Sequence, residues 1–159
     1  MADRYTTEGA KFAAVDRLLD EDASGPKWLR RADLAEAAIR VLYDGQANGF
    51  YELISWVIMP NHVHLLIYPR KDLSQIVWGI KRQTARAANR ILKRTGAFWE
   101  RDYFDRWMRD SDGEQRVIRY IENNPVKAGL CSSIHDWPYS SARQRACNAR
   151  PLFIAPYGV

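Results

Sequence analysis

The chain has 159 residues, 47% apolar and 27% charged, which suits one domain with a continuous core and excludes a fibrous or low-complexity chain. Its 24 Lys and Arg against 19 Asp and Glu give a net charge of +5 and a pI near 9.4, which favours a polyanionic partner. No apolar run approaches the roughly 18 residues of a membrane span, and Met1 to Tyr5 lack a signal-peptide pattern, so the expected compartment is the cytoplasm, with no membrane partner.

Residues 1 to 10 are polar and show no strand pattern. Phe12, Val15, Leu18 and Leu19 recur at helical spacing, so a short amphipathic helix is expected over 11 to 21, broken by Ser24-Gly25-Pro26. A second helix is expected over 33 to 44, capped by Asp33, with Leu34, Ala38, Val41 and Leu42 inward and Gly45 at its exit. Aromatic and β-branched residues dominate Phe50 to Met59, which reads as a strand. Pro60-Asn61 punctuates it, and the next strand opens on two histidines and runs to Tyr68, forming an antiparallel pair with the first.

Pro69 to Asp72 reads as a loop and Leu73 to Arg94 as a long helix. Its apolar sector holds Ile76, Val77, Ile80, Thr84, Ala87, Ala88 and Ile91. Arg82, Arg86, Arg90 and Lys93 share another side at spacings of four, four and three. A charged helix face is ordinarily a solvated one, but this stripe has one sign with no acid interleaved, so it repels itself unless an anion such as nucleic acid neutralises it. Gly96 should end the helix, and Phe98 to Met108 reads as an aromatic strand. Asp112 and Gln115 form a capping-box pattern for a helix that should run to Asn123 and stop at Pro125. Trp137 to Ala142 reads as a loop whose rings pack on the core. Arg143 to Val159 reads as a basic tail, separate from a single domain over 1 to 142. Cys131 and Cys147 form no Cys-x-x-Cys pair and read as small reduced thiols.

The chemistry-bearing stretch is Met59-Pro60-Asn61-His62-Val63-His64-Leu65-Leu66-Ile67. On a strand, His62 and His64 face one side, with Val63 and Leu65 on the other. Two imidazoles can bind a metal but rarely complete a site. On the later helix, Tyr120 and Asn124 are four residues apart and share a side bordered by Val117 and Ile121, at about 100° per residue. A tyrosine can attack a DNA phosphate and conserve the bond energy as a phosphotyrosine ester. A divalent ion on His62, His64 and the Asn124 carboxamide oxygen would polarise that phosphate, with Mn²⁺ better suited to imidazoles than the more abundant Mg²⁺. Taken singly, each feature has a plainer reading: an incidental His-x-His, a packing tyrosine, an Asn that ends a helix before Pro. Their joint occurrence with a basic helix favours the chemical one.

Trp56 to Leu66 resembles the histidine-hydrophobic-histidine segment of single-tyrosine transposases. Phe98-Trp99, Tyr103 to Arg106, Arg119-Tyr120-Ile121-Glu122-Asn123-Asn124-Pro125-Val126-Lys127-Ala128-Gly129-Leu130 and Trp137-Pro138-Tyr139-Ser140-Ser141-Ala142 are similar to the REP-associated branch, so the resemblance covers residues 26 to 142. It implies an α+β fold, a ferredoxin-like α/β sandwich with an antiparallel sheet and helices on one face. It also implies cutting and joining of single-stranded DNA beside hairpins, with Mg²⁺ or Mn²⁺ and a 5′-phosphotyrosine intermediate, by a monomer or homodimer. His62 and His64 match the family's metal ligands, Tyr120 its nucleophile and Asn124 the polar residue that completes the metal site. The family opens on a strand in the middle of the sheet, and residues 1 to 10 do not read as that strand; Arg4-Tyr5-Thr6-Thr7 is at most its remnant. The expected consequence is exposed strand edges, unless the start lies elsewhere or another segment or a partner fills the place. A catalytically silent, domesticated nucleic-acid-binding protein is the alternative, and an ordinary metal hydrolase, which makes poor use of Tyr120 and the basic helix, ranks third.

Overall fold

The computed structural model describes residues 12–16, 26–99, 104–108 and 111–148. Four strands, β1 (Phe12–Asp16), β2 (Tyr51–Ile58), β3 (Val63–Pro69) and β4 (Phe104–Met108), form one sheet in the order β2-β3-β1-β4. Every neighbouring pair is antiparallel. Helix α1 (Ala32–Ala47) joins β1 to β2 and α2 (Leu73–Leu92) joins β3 to β4; α3 (Ser111–Lys127) and α4 (Ser141–Asn148) follow. This is the ferredoxin-like βαββαβ order with two further helices.

The strand expected to be missing is present as β1. Phe12–Asp16 is a strand where the 12/15 spacing suggested a helix, and it pairs with β3 on one side and β4 on the other. The physical reason is tertiary: a five-residue strand between two others satisfies backbone groups on both their edges, a return no isolated short helix offers. The rest of the expected 11 to 21 helix, and Arg4 to Thr7, lie outside the described residues.

Strand β3 divides the interior. Val63, Leu65 and Ile67 join Trp56 and Ile58 of β2 in the larger core, against Leu34, Ala38 and Leu42 of α1 and Leu73, Ile76 and Ile80 of α2. Leu66, with Val57 and Met59, faces the other way, against Ile121 of α3. The helices thus cover both faces, α1 and α2 one and α3 the other, where helices on one face were expected; Ile121 and its neighbours bury the apolar residues that β2 and β3 turn away from α1 and α2. A bulge between Leu53 and Ser55 adds one residue to β2. Tyr51 and Leu53 before it share the α1/α2 side with Trp56 and Ile58 after it, while Ile54 joins the α3 side. The bulge also brings the Ser55 hydroxyl to Glu122 of α3.

Several boundaries differ from the sequence expectation for local reasons. Asp33 is the second residue of α1; its carboxylate accepts from Leu34 N–H and pairs with Arg31 at 2.7 Å, while Arg31 occupies the cap position. Gly45 lies within α1, where a Cβ would overlap the Tyr51 ring, and Gly49 takes the left-handed turn at φ 72°. Asp72 caps α2 by accepting from Gln75 N–H at 3.1 Å. Lys93, at φ 52°, ends α2 before Gly96. Phe98 lies outside β4, buried and stacked on Trp28 with centroids 5.1 Å apart.

Pro125 does not stop α3, which runs on to Lys127. A proline has no N–H to give the carbonyl four residues back, here that of Ile121. The Asn124 carboxamide nitrogen donates instead to the Tyr120 and Ile121 carbonyls, at 2.8 and 3.4 Å. The side chain of Asp112 lies outside the described residues.

The expected loop and tail after residue 136 form a second clamp on β2. Ile58 N–H donates to the Tyr139 carbonyl, Trp137 Nε1 donates to the Ile58 carbonyl, and Ser140 bridges Val57. Arg143 to Asn148 belongs to α4 rather than to a free tail. Its Arg145 meets the buried Glu122 carboxylate at 2.5 and 2.6 Å, and Ser141 Oγ donates to the same carboxylate at 2.6 Å while accepting from Trp56 N–H. Glu122 thus holds α3, α4 and β2 together. Removing it in Glu122→Ala strips Arg145 of its carboxylate and leaves the Ser141 hydroxyl the longer bond to the Trp56 carbonyl at 3.2 Å, and the expected loss is about 1–3 kcal/mol, read by urea denaturation. At the start of α3, Tyr68 Oη donates to Glu114 at 2.7 Å, and this bond raises the phenol to about 12. A raised folded value means full stabilisation below the unfolded value near pH 10, lost as pH rises from about 10 to about 12. Thermal melts of the protein and Tyr68→Phe should therefore converge over that window.

Candidate active site

Pro60 and Asn61 form the two-residue turn between β2 and β3, closed by Met59 N–H donating to the His62 carbonyl at 2.8 Å. Leu29 N–H donates to the Pro60 carbonyl at 3.0 Å and anchors the turn to the chain before α1. His62 follows the turn half-buried, and His64, two residues on, is buried on the α3 side of β3. The alternation expected from the sequence therefore holds, with Val63 and Leu65 in the opposite core.

The two imidazoles stand edge to face, with Nε2 atoms 2.9 Å apart. His62 Nδ1 lies 2.8 Å from Asn61 Oδ1. An amide oxygen only accepts, so Nδ1 of His62 carries the proton and its Nε2 presents a lone pair. The Nε2 contact is then a hydrogen bond donated by His64. Burial lowers His64 to about 4, so its ring is neutral near pH 7. Neutral imidazole is the form a metal takes, and ligation through both Nε2 atoms would require the His64 proton to move to its Nδ1.

Tyr120 of α3 packs its ring on His64, with centroids 5.9 Å apart and planes at 81°. Tyr120 as a whole is 44% exposed. Ile121, beside it, is buried against β2 and β3 and sets the rotation of the helix. Asn124 is one turn further on, its nitrogen held by the Tyr120 carbonyl, which leaves the carboxamide oxygen as the atom suited to a ligand. Among the described residues no three His, Cys, Asp or Glu side chains group to hold a metal. A carboxamide such as Asn124 falls outside that residue set.

The basic stripe is not part of this constellation. Arg82, Arg86, Arg90 and Lys93 are all exposed on α2, in the helical layer across the sheet from α3. The C-terminal end of α2 nevertheless approaches the histidine turn: Arg94 lies 4.5 Å over Trp28, and the adjacent Leu29 bonds Pro60. A cleft of about 590 Å³ at that end is lined by Arg86, Asn89, Arg90, Lys93 and Arg94. Two further site residues went unremarked in the sequence. Asn61 orients His62, and Lys127 places its Nζ over the Tyr120 ring at 5.1 Å. Lys127 is seven residues after Tyr120, two helical turns along one side, a spacing hidden by the expectation that Pro125 ends the helix.

The IS200-like transposase family model matches residues 27–124. A Haemophilus influenzae protein carried under the REP-associated tyrosine transposase name is 30% identical over 103 residues, covering 57% of this chain and 58% of that one. An Escherichia coli REP-associated tyrosine transposase is 30% identical over 94 residues, covering 57% and 54%. The chain thus spans little more than half the length of these curated relatives. A solved structure of a REP-associated tyrosine transposase bound to a REP hairpin superposes with a TM-score of 0.67 at 24% identity, covering 95% of this chain and 88% of the other, which establishes the shared fold. With the family model covering both histidines, Tyr120 and Asn124, the chain belongs to the IS200-like transposase family.

Proposed function

We propose that the chain is a metal-dependent single-stranded DNA endonuclease and strand transferase, acting at hairpin, REP-like sequences through a 5′-phosphotyrosine intermediate. The observation that carries this reading is the Tyr120 ring seated on His64, whose Nε2 stands 2.9 Å from that of His62. Tyr120 is the nucleophile. Its oxygen bonds to phosphorus as the phosphorus–O3′ bond breaks; the phenolic proton leaves and the 3′ oxygen takes up a proton. Reversal by a 3′-hydroxyl rejoins the strand with no external energy source. His62, His64 and the Asn124 oxygen would hold Mg²⁺ or Mn²⁺, which when bound polarises the scissile phosphate. Asn61 keeps His62 in the ligating tautomer. Lys127 sets a positive charge beside the nucleophile, suited to a phosphate. Arg82, Arg86, Arg90 and Lys93 bind the DNA backbone, and the names of the relatives and the hairpin in the structural relative support a hairpin partner. The case for a silent, binding-only relative rested on a missing central strand, and β1 occupies that place.

On a labelled hairpin with Mn²⁺, the protein should leave a covalent adduct on a denaturing gel, and Tyr120→Phe should abolish the adduct while hairpin binding survives. An adduct from Tyr120→Phe would refute the nucleophile assignment. His62→Ala should eliminate metal-dependent cleavage, and unchanged cleavage would sink the metal site. Asn61→Ala should weaken Mn²⁺ binding on the order of 10–100-fold, measured by titration calorimetry without DNA; equal affinity would mean the bond to His62 is incidental.

A further inference from the structure

We propose that Trp78 is a base-stacking platform for an unpaired nucleotide flanking the bound DNA, a contact that rests on the nucleic-acid reading above and adds a specific site to it. Three large apolar side chains are exposed among the described residues: Phe50, Tyr120 and Trp78. Tyr120 has a role at the site, whereas Trp78, the most exposed of them at 63%, does nothing for the core. Its position is particular. Trp78, Arg82, Arg86 and Arg90 follow at intervals of four, one continuous ridge along α2. From Leu73 to Gly96 the sequence holds six Lys and Arg and no Asp or Glu. An indole opening such a ridge sits beside the path of a polyanion.

The local geometry suits a base. The Arg82 guanidinium lies over the indole, 5.0 Å from its centroid. This arrangement pre-orients the ring and holds a cation where a base and its phosphate would come together. A cleft of about 450 Å³ runs from Trp78 past Ala85 to Phe98 and Trp99. Gly96 lines both this cleft and the cationic one at the end of α2, so the two adjoin. Stacking on an aromatic ring tolerates any base, while the arginines track the phosphates; the combination is the one that single strands need. Base-paired DNA already buries its base faces, so the platform should act on unpaired flanking nucleotides and leave a blunt stem unaffected.

The experiment is fluorescence anisotropy with the full chain on three labelled probes: a blunt hairpin, the same hairpin with a six-nucleotide unpaired flank, and a dT12 strand. Trp78→Ala should weaken the flanked hairpin and dT12 by about 5- to 150-fold. It should leave the blunt hairpin and the salt dependence of binding unchanged, and Trp78→Phe should restore most of the loss. Arg86→Ala should instead weaken all probes and reduce the slope of log K against log salt by about 0.7–0.9. Equal binding of the flanked probe by Trp78→Ala, or the same loss on the blunt hairpin, overturns the platform while leaving the nucleic-acid reading intact. Failure of the unaltered protein to bind any probe overturns both. A change in self-association by sedimentation, without a change on the flanked probe, marks Trp78 as a protein interface and overturns the platform.

Discussion

Strand β3 lies between two helical layers, and its alternation is the constraint on which the site depends. Val63, Leu65 and Ile67 are committed to the large core under α1 and α2. His64 and Leu66 are therefore committed to the side of α3. A slip of one residue would put His64 in the apolar core under α1 and α2 and move Val63, Leu65 and Ile67 out of it to the side of α3, which holds the register. The same packing keeps His64 neutral near pH 7, because burial disfavours its charged form.

The partner of that strand is α3, and a polar network orients it. Glu122 lies between Tyr120 and Asn124 in sequence but points to the other side, into β2 and α4. The Trp-Pro-x-Ser-Ser end of the domain supplies the Ser141 hydroxyl that joins Glu122 to the Trp56 backbone. A motif with no chemistry of its own thus orients the helix bearing Tyr120 and Asn124. Asn124 is similarly double in purpose: its nitrogen compensates the carbonyl that Pro125 leaves unpaired, and its oxygen remains for a ligand.

The layers also separate two tasks. Residues suited to chemistry lie between the sheet and α3; residues suited to holding a polyanion lie on α2 across the sheet. The two meet only at one end, where Arg94, Trp28, Leu29 and Pro60 form a contact chain from the basic cleft to the histidine turn.

Much of this was legible in the chain itself, because it depends on spacing within single elements. The period-two placement of His62 and His64, the one-turn spacing of Tyr120 and Asn124, the apolar sector of α2 and its one-signed stripe are all local periodicities. What the chain could not display depends on partners distant in sequence. Phe12–Asp16 has helical spacing and is a strand only because β3 and β4 need an element between them. The parity change at Ile54 is invisible until β2 is aligned on β3. Glu122 looks like an ordinary helix glutamate until Ser55, Ser141 and Arg145 close around it. The sequence determined which residues could carry the chemistry. The tertiary structure decided which of them meet, because a sheet edge, a bulge or a buried carboxylate is satisfied only by atoms that the chain brings back from elsewhere.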